Sequence, residues 1–360
     1  MKIYTLKKTH DKNLEISENK DNPVVSIIKE RLVKKKCEID TLNPKKWELS
    51  KKMLNPYEFI YTSSKKNKNI CSIVPISRSY FKLHEIVKDL ELLKDNIFCA
   101  CIAEGPGGFI HFLNNCNKKI NKVYGITLIS DDNSIPYWNG NILTNKLNQI
   151  SFGMDGSGDI YNLKNALHFI KEINGNKCYL VTADGGFDYS IDYNSQELNS
   201  YKLLYSEIFI ALNIQAIGGN FVLKVFDLFN YKTIQLLYIL YNTYSSVFIF
   251  KPSTSRASNS EKYIICRNFN GDKIVSIKNV LLKYYDNCES LYINIPHSFI
   301  SDIVDYNNIF TENQINVIDS VIKNINKIKS NNLVATMEQI EIAKKWCKHY
   351  GLPINRNFFR

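Results

Sequence analysis

Apolar and polar positions along this chain fall into two textures, with the change near residue 70. From about 71 to 270, unbroken apolar runs of strand length alternate with longer stretches whose apolar residues recur every three or four positions. "NIFCACIAE" reads as a buried strand, and "GPGGFIHFLNNC" as a glycine turn entering a helix. "KVYGITL" is the next strand, and "LKNALHFIKEI" has helical spacing. The series continues with "KCYLVTAD" (strand), "QELNSYKLLYSEIFIALNIQ" (helix), "GGNFVLKVFD" (strand) and "TIQLLYILYNTY" (helix). "SSVFIF" and "EKYIICRNF" follow with only a loop between them. Strands alternating with helices predict a doubly wound α/β fold with a mostly parallel sheet. Two final strands without an intervening helix predict an antiparallel pair.

Three segments are thereby expected. Residues 1–70 form an N-terminal extension rich in Lys and Asn, with a helix near 24–36 and a flexible approach to the core. Its basic runs, "ERLVKKK" and "SKKNKN", are candidate phosphate contacts or simply solvated faces. Residues 71–270 form the α/β domain, and 271–360 a mixed, more helical C-terminal extension. A formal charge of +11 favours an anionic partner, nucleic acid before membrane. Nine cysteines without CxxC pairs argue against a disulfide framework or structural zinc, and for a reducing compartment. The N-terminus lacks the apolar region of a secretory signal. The most apolar stretches are broken by Asn, Gln, Thr and Ser, so they read as core and not as membrane spans.

Candidate chemistry lies where strands end. In "ADGGFDYS", Asp184 presents a carboxylate at a sheet edge beside two glycines. In "AEGPGGF", Gly105, Gly107 and Gly108 permit a tight strand-to-helix turn against which a cofactor can lie. The spelling fits neither a P-loop nor the spaced GxGxxG fingerprint, which removes support for nucleotide hydrolysis and hydride transfer. Lys82 in "SRSYFKLHEI" sits on an amphipathic helix, where a solvated lysine is the plain alternative. Lys224 follows Phe221, Val222 and Leu223 inside a central strand, an unusual place for a charge. Burial and a neighbouring cation are expected to lower its pKa into the range of a base; snorkelling from the strand end is the alternative. Glu261 begins the last strand after a Ser/Thr-rich loop containing Arg256, which is either a phosphate contact or ordinary surface. All four charged residues fall on one edge of a doubly wound sheet, where two lysines and two carboxylates can orient a hydroxyl and remove its proton without a metal.

The ordered set "SRSYFKL", "AEGPGGF", "ADGGFD", "LKVFD" and "KPSTSRASNSEKY" resembles the FtsJ-like (RrmJ-type) S-adenosylmethionine-dependent RNA 2′-O-methyltransferases. "FGMDGSGDI", "SQELNSYKLL" and "GGNFVLKVFDLF" are most similar to the branch specific for the mRNA cap, and "AEGPGGF" to versions in large DNA viruses. The resemblance covers about residues 75–270 and implies a seven-stranded methyltransferase sheet. It implies a catalytic tetrad of Lys82, Asp184, Lys224 and Glu261, with Lys224 taking the ribose 2′-OH proton. It implies that S-adenosyl-L-methionine lies against Glu104, Gly105, Pro106, Gly107, Gly108 and Phe109, with Asp155 and Asp159 near its nucleoside. Arg78, Ser255 and Arg256 become candidate contacts to RNA, and no metal is expected. The implied partners are the capped mRNA 5′ end and other capping or transcription subunits, in a viral factory, a virion or the nucleus.

The chain departs from the family in two places. The second strand ends "GITL" without the acid that often binds the cofactor ribose, since Asp131 and Asp132 come later. Cys101 stands where relatives often carry Asp. Methylation of ribosomal or transfer RNA uses the same tetrad, and a noncatalytic RNA-binding or processivity subunit would need only the positive charge.

Overall fold

In a computed structural model, which describes residues 2–7, 26–132, 134–173, 175–186, 194–271, 274–287, 291, 293–327 and 333–358, the unbroken apolar runs are strands. The strands are β1 (Ile3–Thr5), β2 (Ile97–Ile102), β3 (Ile120–Ile126), β4 (Asn148–Ser151), β5 (Cys178–Ala183), β6 (Gln215–Val225), β7 (Tyr244–Phe250) and β8 (Lys262–Phe269). The helices of the first half are α1 (Ile27–Asp40), α2 (Pro44–Leu54), α3 (Ser79–Leu90), α4 (Gly108–Asn115), α5 (Gly140–Thr144) and α6 (Leu163–Ile173). Those of the second are α7 (Gln196–Ile214), α8 (Tyr231–Thr243), α9 (Ile274–Lys283), α10 (His297–Asn324) and α11 (Met337–His349).

They build one sheet in the order β1-β7-β8-β6-β5-β2-β3-β4. The five strands from β6 to β4 run parallel, while β8 lies antiparallel between β6 and β7. Helices cover both faces, so β2 and β5 are buried at nearly every position and do not alternate. Phe169, Tyr205, Ile208 and Tyr238 pack on one face; Phe81, Leu83, Phe109 and Trp346 pack on the other. The chain reverses its winding between β2 and β5, and the crevice beyond the carboxyl ends of those two strands is where open α/β sheets bind ligands. Among the described residues, no helix is long and apolar enough to cross a membrane.

The sheet has eight strands where the sequence predicts seven. The additional one is β1, which pairs antiparallel with β7 through Ile3 and Phe250, Tyr4 and Ile249, and Thr5 and Phe248. It covers an edge that would otherwise expose unpaired backbone groups. The described residues of the N-terminal segment thus pack onto the core, where the sequence suggested a flexible approach. Ile60 and Ile70 are buried in the cluster that holds Phe81 and Trp346, and α1 packs along α10.

Three of the four cations in the basic run of α1, Arg31, Lys35 and Lys36, are committed to internal pairs, and Lys34 is exposed. Arg31 meets Glu312 at 2.7 Å and Lys35 meets Asp319 at 3.2 Å. Lys36 is buried and lies 3.0 Å from Asp227, whose other oxygen is 3.8 Å from the buried Lys262. Burial alone would raise the Asp227 pKa, but the two ammonium groups outweigh it and hold it below the usual carboxylate range.

Asp227→Ala should cost about 3 kcal/mol or more, because it leaves two cations uncompensated in the interior. The sign with pH follows from the depressed native pKa: the contribution is complete at neutral pH and fades below about pH 4, as the carboxylate protonates. Urea unfolding of both proteins at several pH values checks this, and equal midpoints at pH 7 would refute it.

Candidate active site

The side chains singled out at strand ends meet in one place, on the carboxyl edge beside the β2–β5 crevice. Lys224 is the penultimate residue of β6, next to β5 on one side and antiparallel β8 on the other. Its Nζ donates to the Asp184 carbonyl oxygen at 2.5 Å and lies 3.4 Å from Asp184 Oδ1. The same Oδ1 accepts the hydroxyl of Tyr263 at 2.9 Å. Lys82, on the first turn of α3, reaches Glu261 at 2.8 Å. Only 11–15% of each of these four charged side chains is exposed, so their mutual pairing is weakly screened by solvent. Residues 187–190 of "ADGGFDYS" lie outside the described residues.

The electrostatics correct one expectation. Desolvation does pull the Lys224 pKa down, but Asp184, Glu261 and Glu207 outweigh it, and the net shift is upward. Lys224 therefore rests as an ammonium. Burial would raise Glu261, yet Lys82, Lys224 and Lys251 bring it down to about 2. Lys251 donates to the backbone oxygens of Asn259 and Glu261 at 2.7 and 2.5 Å, and burial lowers it to about 7.

The glycine turn leads from β2 to α4. The Glu104 carboxylate points into the protein, accepting the Phe109 and Ile110 amides at 2.7 and 3.4 Å, and so caps α4. Burial pushes its pKa well up, with the Phe109 amide opposing. Gly105 donates its amide to the Thr127 hydroxyl at 3.1 Å, so Thr127 occupies the end of β3 where the sequence lacks an acid. Pro106 accepts the Asn139 amide at 3.1 Å, and Phe109 is buried 6.2 Å from the ring of Tyr263. Cys101 is buried within β2. A Cβ on Gly107 would fall 2.6 Å from Ile142 Cγ1, and one on Gly108 would strike the hydroxyls of Ser77 and Ser79. Glycine here keeps the tight turn pressed onto its neighbours, in addition to the bare peptide that the sequence offers a cofactor.

Asp155 is exposed and accepts four hydrogen bonds, from the amide and hydroxyl of Ser157 and from Asn162 and Asn165. Those bonds hold it ionised far below the usual range. Asp159 accepts the Tyr161 amide at 2.8 Å. Their loop meets the segment that follows β3 through the Ile129 amide, which donates to Ser157 O at 2.6 Å. Asn165, which sequence reasoning missed, organises the loop by accepting the Met154 amide and donating to Asp159 O.

The candidate RNA contacts are placed differently. Arg78 and Arg256 both bind the buried Glu58, Arg78 at 3.2 Å and Arg256 at 3.0 and 2.8 Å. Arg78 also donates to Tyr61 O and Thr254 O. Both guanidinium groups therefore brace the loop before Glu261. Ser255 is buried, and Glu85 accepts the Ser253 and Thr254 amides at 2.9 and 2.7 Å. A cavity of about 240 Å³ opens beside Glu261, walled by Lys36, Trp47, Phe226, Arg256 and Gln314. Among the described residues, no group of three His, Cys, Asp or Glu side chains is placed to hold a metal.

A family profile for FtsJ-like methyltransferases matches residues 75–269. The chain is 36% identical over 191 residues to the cap-specific mRNA (nucleoside-2′-O-)-methyltransferase of Autographa californica nuclear polyhedrosis virus, covering 53% of this chain and 71% of that protein. It is 29% identical over 343 residues to cap-specific mRNA (nucleoside-2′-O-)-methyltransferase 1 of Dictyostelium discoideum, covering 88% of this chain and 44% of the other. The human protein of that name is 26% identical over 342 residues. The chain thus spans less than half the length of the two cellular proteins, 44% and 41%.

Gly107→Val should lower the unfolding midpoint in the absence of any ligand, because it forces a side chain against Ile142 at a φ of +108°. A loss of about 2 kcal/mol is expected. Calorimetry reads it directly; an unaltered midpoint with weaker cofactor binding would show that the glycine serves ligand space alone.

Proposed function

The chain belongs to the FtsJ-like methyltransferases, and from that premise we propose that it methylates the ribose 2′-OH of the first transcribed nucleotide of m7G-capped mRNA, using S-adenosyl-L-methionine. The observation that carries this reading is the convergence of Lys82, Asp184, Lys224 and Glu261 on one edge of the β2–β5 crevice. The cap preference rests on the relatives named for it and on the cavity that the terminal segments enclose beside Glu261.

The cofactor fits the residues at this edge. Bare peptide from Gly105 to Phe109 lies beside the crevice, and Asp155 offers an exposed, ionised carboxylate on the neighbouring loop. That donor set suits a cationic ligand with sugar hydroxyls. Residues 105–109 would hold the amino-acid part, and Asp155 with Asp159 the nucleoside. Glu104 serves indirectly, by capping α4. When bound, S-adenosyl-L-methionine supplies a methyl group made electrophilic by its positive sulfur.

The chain's own groups handle the proton. Lys224 receives the 2′-OH proton at Nζ, and positioning of the hydroxyl contributes much of the rate. Because its surroundings raise its proton affinity, only the fraction that has lost its proton is competent, so transfer accelerates as pH rises. Asp184 anchors Lys224 and is itself held by Tyr263. Glu261, ionised down to about pH 2, ties Lys82 to the same edge. Arg78 and Arg256 fix the loop that delivers Glu261.

Labelled methyl should pass to m7G-capped RNA and not to the same RNA uncapped, with nucleoside mapping placing it on the first ribose. Lys224→Ala should abolish transfer and leave cofactor affinity nearly unchanged; substantial turnover by that variant would remove Lys224 as the base. Equal labelling of capped and uncapped RNA would redirect the reading to ribosomal or transfer RNA.

Asp184→Asn keeps the shape but removes the charge beside Lys224. Its rate should fall about 10²–10⁴-fold. Wild-type transfer should persist in excess EDTA, and loss of activity that one divalent metal restores would show a metal requirement at this strand end.

A further inference from the structure

A fifth charged residue reaches the tetrad from beneath. Glu207 lies in the middle of α7, among the buried Leu203, Leu204, Ile208 and Phe209, and is itself fully buried. Its Oε1 accepts the Gly185 amide at 3.1 Å. Among the described residues no hydrogen bond reaches its Oε2. An unpaired carboxyl oxygen in a core is costly, and the Gly185 contact does not require it, since a glutamine amide oxygen would accept the same bond. The feature that a glutamine would lack is charge. Glu207 is faced by Lys224 on β6 and by Asp184 at the end of β5. Lys224 is faced in turn by Asp184, Glu261 and Glu207, and its field extends to Glu104 at the end of β2.

We propose that Glu207 is a positioning residue that fixes the Asp184–Gly185 turn and sets how tightly Lys224 holds its proton. The proposal rests on the reading of Lys224 as the base. Two buried groups of opposite charge titrate as a pair: while Glu207 is ionised, Lys224 keeps its proton more firmly, and a neutral Glu207 releases that hold. Burial raises the Glu207 pKa to about 8, with Lys224 pulling the other way, so the exchange falls in a working pH range. The turn itself is sterically locked to α7, since a Cβ on Gly185 would lie 2.8 Å from Leu203 Cδ2 and strike Glu207 Oε1.

The test uses the full chain, S-adenosyl-L-methionine and an m7G-capped oligonucleotide. Glu207→Gln keeps the Gly185 contact and removes the charge. The rising limb of its pH–rate profile should move to lower pH by about one unit, with the plateau rate retained. A superimposable profile, or a uniform drop in rate at every pH, would overturn the proposal. In parallel, in a Glu104→Gln background, which removes the other glutamate at this edge whose pKa burial pushes well up, carboxyl-¹³C glutamate spectra should show a resonance titrating near pH 8, with its midpoint moved higher by Lys224→Met, which removes the cation. That measurement needs no activity and stands if Glu207→Gln does not fold. No such resonance, or a midpoint indifferent to Lys224→Met, refutes the coupling. If Lys224→Ala still turns over while the resonance shifts as expected, the fault lies in the assignment of the base and not in the pairing.

Discussion

A buried ammonium must be surrounded by anions, and the placement of Lys224 makes this the governing constraint on the carboxyl edge of the sheet. β5 brings Asp184 from one side, the start of β8 brings Glu261 from the other, and α7 brings Glu207 from below. Each carboxylate in turn needs its own support. Asp184 has the Tyr263 hydroxyl, Glu261 has Lys82, and Glu207 has the Gly185 amide. The antiparallel insertion of β8 between β6 and β7 satisfies this demand, because it returns a strand to the edge where Lys224 ends. The same buried charge balance raises the proton affinity of Lys224, so what stabilises the folded site also opposes loss of that proton.

Around this edge runs a second ring of buried acids that carry no charge to substrate. Glu58 gathers Arg78 and Arg256, Glu85 receives the Ser253 and Thr254 amides, and Glu104 caps α4. Each satisfies backbone or guanidinium donors that would otherwise be orphaned in the interior. Rigidity of the loops follows from these contacts. Glu261 is delivered by a loop braced at both ends, and the glycine turn by a helix whose first amides are already bonded.

Much of the fold was legible because the apolar runs are long and their periods differ. β2, β3, β5, β6, β7 and β8, with α6, α7 and α8, all lie where the pattern puts them. Short elements escaped notice: β4 has four residues and β1 three, too few to establish a period. β1 is stabilised by a β7 edge some 240 residues away, which no local pattern reveals. The four charged positions of the edge were legible from strand ends and family spelling. The commitments of Arg78 and Arg256 were not, since a guanidinium reads alike whether it meets phosphate or a buried glutamate. Glu207 left a visible signal, a single carboxylate in the apolar stretch "LLYSEIFIAL". Tyr263 left another, two residues after Glu261 and so directed to the same face of β8.

Lys2 shows where the region of family likeness and the unit of cooperative unfolding part company. Standing just before β1, it pairs with Glu85 at 2.9 Å and Asp89 at 2.6 Å on α3, and donates to the Tyr350 hydroxyl at 2.6 Å. Three segments far apart in sequence are thus clasped at one point, and Glu85 is the residue that also holds the loop before Glu261. Limits drawn at 75 and 269 mark where recognisable spelling starts and stops; they are not seams. A fragment cut there would lose the outermost strand and the clasp on α3, exposing the β7 edge to other chains. Its expected fate is self-association, which makes the flanks a condition of solubility as well as of shape.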